Sequence, residues 1–265
     1  MAASDLGVLA RILEAKREEV AALKAARPLA GLRREAEAAP PARPFLGALR
    51  GHPRVPVIAE IKRRSPSRGE LAPGEGVQAR ARAYQAGGAA ALSVLTDMPF
   101  FGGSLEDLAA ARQAVDLPAL RKDFIIDPAQ IYEARAAGAD AVLLIAASLE
   151  APLLAELYHL AKGLGLDVLI EVHKAEELEP VLALDPPLVG INNRDLKTLA
   201  VRLDTSLELR RLIPAGITVV AESGIDGPEQ VRGLRAAGLD AFLVGTSLML
   251  APDPAATLRG LVETA

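Results

Sequence analysis

Pro118-Ala-Leu-Arg-Lys-Asp-Phe124 begins as an apolar strand and ends in two cations, an acid and an aromatic ring. Lys122 lies two residues beyond Leu120, so on an extended chain both side chains face one side. If that side is the interior of a closed barrel, an ammonium group enters a crowded space. Burying it there is costly unless opposite charges surround it. The reading of the whole chain turns on which segments supply those partners.

Working outward, seven further short apolar runs flank this one: Val57–Lys62, Ala89–Thr96, Ala139–Ile145, Asp167–Val172, Leu188–Asn192, Ile217–Ser223 and Ala241–Gly245. Amphipathic segments of helical length separate them. A turn phrase recurs before four of the runs: Ala86-Gly-Gly-Ala-Ala90, Ala137-Gly-Ala-Asp140, Leu164-Gly-Leu-Asp167 and Ala237-Gly-Leu-Asp240. Each glycine ends a helix and the residues after it open a strand. Strict strand–helix alternation means parallel strands. Eight such units in this length predict an α/β fold of the (β/α)8 TIM-barrel class. The alternative is an open doubly wound sheet, but no glycine-rich dinucleotide fingerprint follows the first run.

Ahead of the barrel, Leu6, Leu9, Ile12, Leu13, Val20 and Leu23 keep a helical period, with Asp5 as its cap and Pro28 as its end. A second helical piece runs from about Leu29 to Ala38. Pro40-Pro-Ala-Arg-Pro44 is a stiff connector leading to Phe45-Leu-Gly-Ala-Leu49. The expectation is one domain over 1–265, with 1–50 a helical extension packed on a barrel of 55–265.

Composition narrows the class. The chain has 265 residues, 51% hydrophobic and 24% charged, with a net charge of −4 and no cysteine. That excludes disulfides and thiol nucleophiles and fits a reducing cytoplasm. It also argues against general nucleic-acid binding. No apolar run has the roughly 20 residues of a membrane span, and the charged N-terminus is not a signal peptide. Seven lysines and two asparagines, with many prolines, fit a thermophile or a GC-rich genome equally.

In a (β/α)8 barrel the chemistry lies at the C-terminal strand ends. Those ends read Glu60 and Lys62, Asp97, Lys122, Glu171 and His173, Asn192 and Arg194, Glu222, and Gly245-Thr-Ser247. Barrel interiors are layered, with four side chains per layer from alternate strands. Glu60, Lys122, Glu171 and Glu222 come from the first, third, fifth and seventh runs. They are expected to form one layer of three carboxylates around one ammonium. Carboxylates crowded together raise one another's pKa while a close lysine holds them charged, so an acid and a base coexist near neutrality. A satisfied polar plug is the structural alternative, though apolar side chains would fill the space at lower cost. Gly224 and Gly245-Thr-Ser247 offer backbone N–H groups after the last two strands, a common phosphate cradle. Lys62-Arg-Arg-Ser-Pro-Ser-Arg-Gly69 adds cations and hydroxyls, or is a solvated basic loop. Asn192 is a hydrogen-bonding residue or a turn former. Phe100, Phe101 and Phe124 are a seat for an aromatic group or plain packing, and His173 reads as an ordinary rim residue. Metal binding is not expected, because histidine is sparse and lysine stands among the carboxylates.

At this point the sequence closely resembles the indole-3-glycerol phosphate synthase family. The matching segments are Ala59-Glu-Ile-Lys-Arg-Arg-Ser-Pro-Ser67, Ser93-Val-Leu-Thr-Asp97 with Phe100-Phe-Gly-Gly-Ser104, Leu120-Arg-Lys-Asp-Phe-Ile125, Leu169-Ile-Glu-Val-His173, Ile191-Asn-Asn-Arg-Asp-Leu196, Ala221-Glu-Ser-Gly-Ile225 and Phe242-Leu-Val-Gly245. The resemblance implies ring closure, decarboxylation and dehydration of 1-(2-carboxyphenylamino)-1-deoxyribulose 5-phosphate, a phosphorylated small molecule, without a cofactor. The chain is expected to be a cytoplasmic monomer. By resemblance, Lys122 is the general acid and Glu171 the acid/base of the dehydration. Glu60, Asn192 and Glu222 hold the ribulose hydroxyls and the charge network, with Arg194 and Ser223 in support. Lys62, Ser65, Gly224, Gly245 and Thr246 are phosphate contacts. Phe101, Phe124, Pro66 and Leu143 wall the anthranilate ring. Thr246 stands where the family also has serine, and the N-terminal segment has no tryptophan to offer that ring. Three rivals are a Schiff-base aldolase using Lys122, phosphoribosylanthranilate isomerase, whose cysteine base is lacking, and a sugar-phosphate sensor without turnover.

Overall fold

Gly88, Gly138, Gly165 and Gly238, one in each recurring turn phrase, take φ of 88°, 88°, 78° and 90°. Only glycine reaches that region readily, so each phrase stops a helix and turns the chain back into a strand. The computed structural model describes residues 7–66, 69–71 and 76–264. Its strands are β1 (Val57–Ile61), β2 (Ala91–Leu95), β3 (Ala119–Lys122), β4 (Ala141–Ile145), β5 (Asp167–Val172), β6 (Leu188–Asn192), β7 (Thr218–Glu222) and β8 (Ala241–Val244). All pair in parallel with their chain neighbours, and β8 returns to β1 to close the barrel. Helices fill the connections, from Val77–Ala86 after β1 to Pro254–Val262 after β8.

Alternation along the strands divides the core. Val57, Ala59 and Ile61 pack outward beneath the helices, whereas Ile58 packs inside with Leu120, Leu169 and Val220. Those four stand two residues before Glu60, Lys122, Glu171 and Glu222 and form the aliphatic layer beneath them. The register explains the layering. Glu171 is level with Gly190 and through it with Val220, and Glu222 is level with Leu243 and through it with Ile58. Glu60 is level with Ser93 and through it with Leu120. Every second strand is thus offset by two residues, and four such offsets give the shear of about eight that an eight-stranded barrel requires.

The extension embraces the barrel from both ends. Helices α1 (Val8–Ala26) and α2 (Leu29–Ala38) are followed by α3 (Phe45–Arg50), which plugs the N-terminal end. Phe45 and Leu49 are buried there against Ala90, Ala91, Ala141 and Ala241. The backbone N–H groups of Arg43 and Leu46 donate to Asp140 Oδ1 at 2.7 Å and Asp167 Oδ2 at 2.9 Å. Small residues at the strand starts leave room for the Phe45 ring.

The expected runs are shortened at several ends. β3 stops at Lys122 because the Phe124 N–H turns to the Asp123 carboxylate, 2.8 Å away, instead of a neighbouring strand. Asp5 and Leu6, read as the cap and first apolar residue of α1, lie outside the described residues, and the helix begins after Gly7, which gives no side-chain cap. The basic loop after β1 forms a short antiparallel ribbon, Arg64–Ser65 with Gly69–Glu70. Ser67 and Arg68 lie outside the described residues.

Candidate active site at the barrel mouth

Lys122 Nζ, at the end of β3, lies 2.9 Å from Glu171 Oε2 and also bonds Glu222 Oε2. Glu60, from β1, pairs instead with Lys62 Nζ at 2.6 Å. The four layer residues therefore meet, but Lys122 holds only Glu171 and Glu222, and the third carboxylate, Glu60, is paired with Lys62 instead. Lys62 follows Glu60 by two residues, so its side chain rises from the same face and captures it.

Burial and charge set distinct protonation states. For Lys122, burial opposes the charge, but Glu171, Glu222 and Glu60 outweigh it and hold the ammonium well above the usual lysine range. Burial would raise Glu171, yet Lys122 and His173 hold it well below the usual carboxylate range. Glu222 goes the other way. Burial pushes it up, Lys122 pulls it down and Glu171 repels its charge, leaving it at about 8. One carboxylate is thus firmly ionised and its neighbour titrates near neutrality, a division suited to proton transfer.

Two glycines make room for these acids. A Cβ on Gly190 of β6 would run into Glu222 Oε1, and one on Gly245 after β8 would run into Glu60 Oε1. Sequence reading assigned Gly245 to phosphate and gave Gly190 no role. The available signal was a glycine inside an apolar strand, which marks close approach of another group.

The charged layer floors a cavity of about 460 Å3. Lys62, Lys122, Glu171, Asn192, Arg194 and Glu222 line it from the strand ends, with Phe101, Phe124 and Leu143 forming an apolar side. Ser223, Gly224, Gly245 and Thr246 line the rim over β7 and β8. Ser223 has φ of 67° and Gly224 of 77°. Two consecutive left-handed residues are uncommon for a chain with a serine in the pair, and such strain gathers at functional sites. Ser65 and Pro66 border a smaller adjoining cavity of about 90 Å3, with Val8, Leu9 and Ile12 of α1 on its far side. The sixteen residues given a role by the family resemblance all border one of two cavities that share Lys62, Phe101, Phe124, Arg194, Leu196 and Thr246, whereas Asp97, His173 and Phe100 border neither.

The two asparagines have separate tasks. Asn192 borders the cavity and its Oδ1 accepts the Arg194 N–H at 3.0 Å. Asn193 is buried and braces the loop, accepting from Ser206 and donating to the Ser223 carbonyl at 3.1 Å. The rings of Phe101 and Phe124 are 6.3 Å apart between centroids, whereas Phe100 packs against the inner core and borders neither cavity. His173 was read as an ordinary rim residue. Its Nε2 stands 3.3 Å from Glu171 Oε1 and its Nδ1 3.7 Å from Glu177 Oε2. Burial opposes the charge, but the two carboxylates raise the imidazole to about 10. Among the described residues, no cluster of potential metal ligands occurs and no helix is long and apolar enough to cross a membrane.

Comparison with known proteins gives the family. The family model for indole-3-glycerol phosphate synthase matches residues 9–261. An indole-3-glycerol phosphate synthase of Azoarcus sp. is 53% identical over 96% of this chain and 98% of its own length. That of Bordetella pertussis is 51% identical over the same shares. A solved thiamine phosphate pyrophosphorylase from Pyrococcus furiosus superposes with a TM-score of 0.59 at 19% identity, covering 78% of this chain and 93% of that one. At that identity it speaks to the barrel alone. The chain belongs to the indole-3-glycerol phosphate synthase family.

Proposed function

We propose that the chain converts 1-(2-carboxyphenylamino)-1-deoxyribulose 5-phosphate to indole-3-glycerol phosphate, carbon dioxide and water. The observation that carries this reading is the Lys122 ammonium held by Glu171 and Glu222 beneath a cavity with an aromatic wall on one side. Lys122 donates a proton to the ketone oxygen while the ring carbon bearing the carboxylate attacks the ketone carbon. Loss of carbon dioxide then restores the aromatic ring. Glu171, held ionised by Lys122 and His173, acts as the acid/base of the dehydration: it takes a proton from the cyclised intermediate and returns one to the hydroxyl oxygen, so that the C–O bond breaks and water leaves. Glu60, Asn192 and Glu222 orient the ribulose hydroxyls, with Arg194 and Ser223 supporting the loops they stand on. Lys62, Ser65 and the backbone of Gly224, Gly245 and Thr246 take the phosphate. Phe101, Phe124, Pro66 and Leu143 enclose the anthranilate ring.

A Schiff-base aldolase needs a neutral amine, and an ammonium stabilised by two carboxylates is a poor nucleophile. The reading includes a cytoplasmic monomer acting without a cofactor. Mixing purified protein with the substrate tests it: indole fluorescence should grow with time and carbon dioxide should be released in equal amount. Absence of both would reject the assignment.

A further inference from the structure

Lys16 occupies a place that helical periodicity reserves for an apolar residue. Val8, Ile12, Lys16 and Val20 follow at four-residue steps on α1, and the last three are buried. The Lys16 ammonium stands 2.7 Å from Glu19 Oε2, 3.0 Å from Asp97 Oδ2 and 2.9 Å from Asp123 Oδ1. Lys16 and Asp123 are each 2% exposed and Asp97 is fully buried. Burial opposes the lysine's charge, but Asp123 and Asp97 outweigh it and hold the group above its ordinary range. A buried cation is kept at this cost only where its partners are well placed.

Both carboxylates have a second task. Asp97, at the end of β2, caps the short helix Met98–Phe101 by accepting the Phe100 N–H at 2.8 Å. Asp123, one residue beyond Lys122, accepts the Phe124 N–H at 2.8 Å. Its other oxygen accepts from Thr96 at 2.6 Å and from Arg121 at 3.0 Å. The two carboxylates thus set the backbone beside the two aromatic rings that wall the cavity. One turn before Lys16, Ile12 borders the adjoining cavity together with Phe101 and Phe124.

We propose that Lys16 is a positioning residue for the aromatic half of the substrate. A single cation on α1 joins Asp97 to Asp123, and through them fixes the spacing of Phe101 and Phe124 and the lie of α1 over the mouth. Lys16 is not among the residues bordering either cavity, so its effect is exerted through those partners. The proposal rests on the assignment of Phe101 and Phe124 to the anthranilate ring.

Lys16→Met tests it with ligands for the two halves of the pocket. The variant should lose tenfold or more in kcat/KM for the anilino-ribulose phosphate. Inhibition by ribulose 5-phosphate, which has no aryl group, should change less than twofold. Lys16→Arg, which keeps the charge, should recover most of the loss. Equal weakening of both ligands would reduce Lys16 to a structural role, and unchanged kcat/KM would overturn the proposal outright. Should Lys16→Met be insoluble, Lys16→Met/Asp97→Asn removes one charge of each sign, and the same pair of readouts decides. Titration with 2-aminobenzoate, followed by its own fluorescence, reads the aryl pocket without turnover. A wild-type protein that binds it, and a variant that binds it tenfold more weakly, would support the positioning role even if turnover were absent.

Discussion

Gly190 has no side chain where Glu222 Oε1 lies: a Cβ on the β6 residue would meet that oxygen. The acid from β7 therefore reaches Lys122 only because its neighbour strand is bare at this one position. Gly190→Ala should displace the carboxylate and overpack the layer. Stability should fall by about 1–3 kcal/mol. Turnover should fall by roughly 10²-fold, as when a positioned proton-transfer group is lost. A chemical-denaturation curve and initial rates on the same preparation check both, and normal turnover would show that Glu222 tolerates the crowding.

Glu222, at about 8, is the group in the site poised to titrate just above neutrality. The kcat/KM profile should bend on its alkaline side with an apparent pKa near that value. Glu222→Gln should abolish the bend while keeping a neutral, hydrogen-bonding side chain beside Lys122. A bend that survives in the variant assigns the titration elsewhere.

His173 ties stability to pH with a definite sign. Its folded pKa of about 10 stands above the ordinary 6.5. The imidazolium's contribution is therefore fully present below pH 6.5 and is lost as pH rises through 10. His173→Asn should cost roughly 2 kcal/mol at pH 6, within the range of about 1–3 kcal/mol for leaving a buried polar group without its partner. The gap from wild type should close towards pH 10, followed by urea unfolding at each pH. A gap that is constant across the range would mean a packing role only.

Much of this architecture could be read from the chain. The glycine phrases marked the helix ends, and the alternation of Glu60, Lys122, Glu171 and Glu222 with aliphatic residues two positions earlier placed them on one face. What could not be read was pairing across space. Glu60 bonds Lys62 because both rise from one strand face, and the sequence carries no measure of which of two cations wins a carboxylate. His173 is held between Glu171 and Glu177, and the Glu177 carboxylate also accepts the His173 backbone N–H at 2.6 Å, a turn geometry that the sequence does not reveal. Lys16 was overlooked although its register between Ile12 and Val20 marked it. Its two buried acids, Asp97 and Asp123, are about 80 to 110 positions away in the chain, a separation that periodicity does not address.

Lys62, on the far side of the Glu60 pair, should govern binding more than chemistry. Lys62→Ala should raise KM about tenfold or more, as expected when a charged hydrogen bond to phosphate is removed, with kcat changed far less. Inhibition by inorganic phosphate should weaken in parallel. An unchanged KM would remove Lys62 from the phosphate seat and leave it as the partner of Glu60 alone.

The central claim is that the Lys122 ammonium, held between Glu171 and Glu222, delivers the proton that drives ring closure. Single-turnover formation of the indole product by Lys122→Ala, with enzyme in excess over substrate, tests it most directly. The account predicts a fall of 10²-fold or more in the rate constant with the fold intact by circular dichroism. A rate constant within a few-fold of wild type would contradict it.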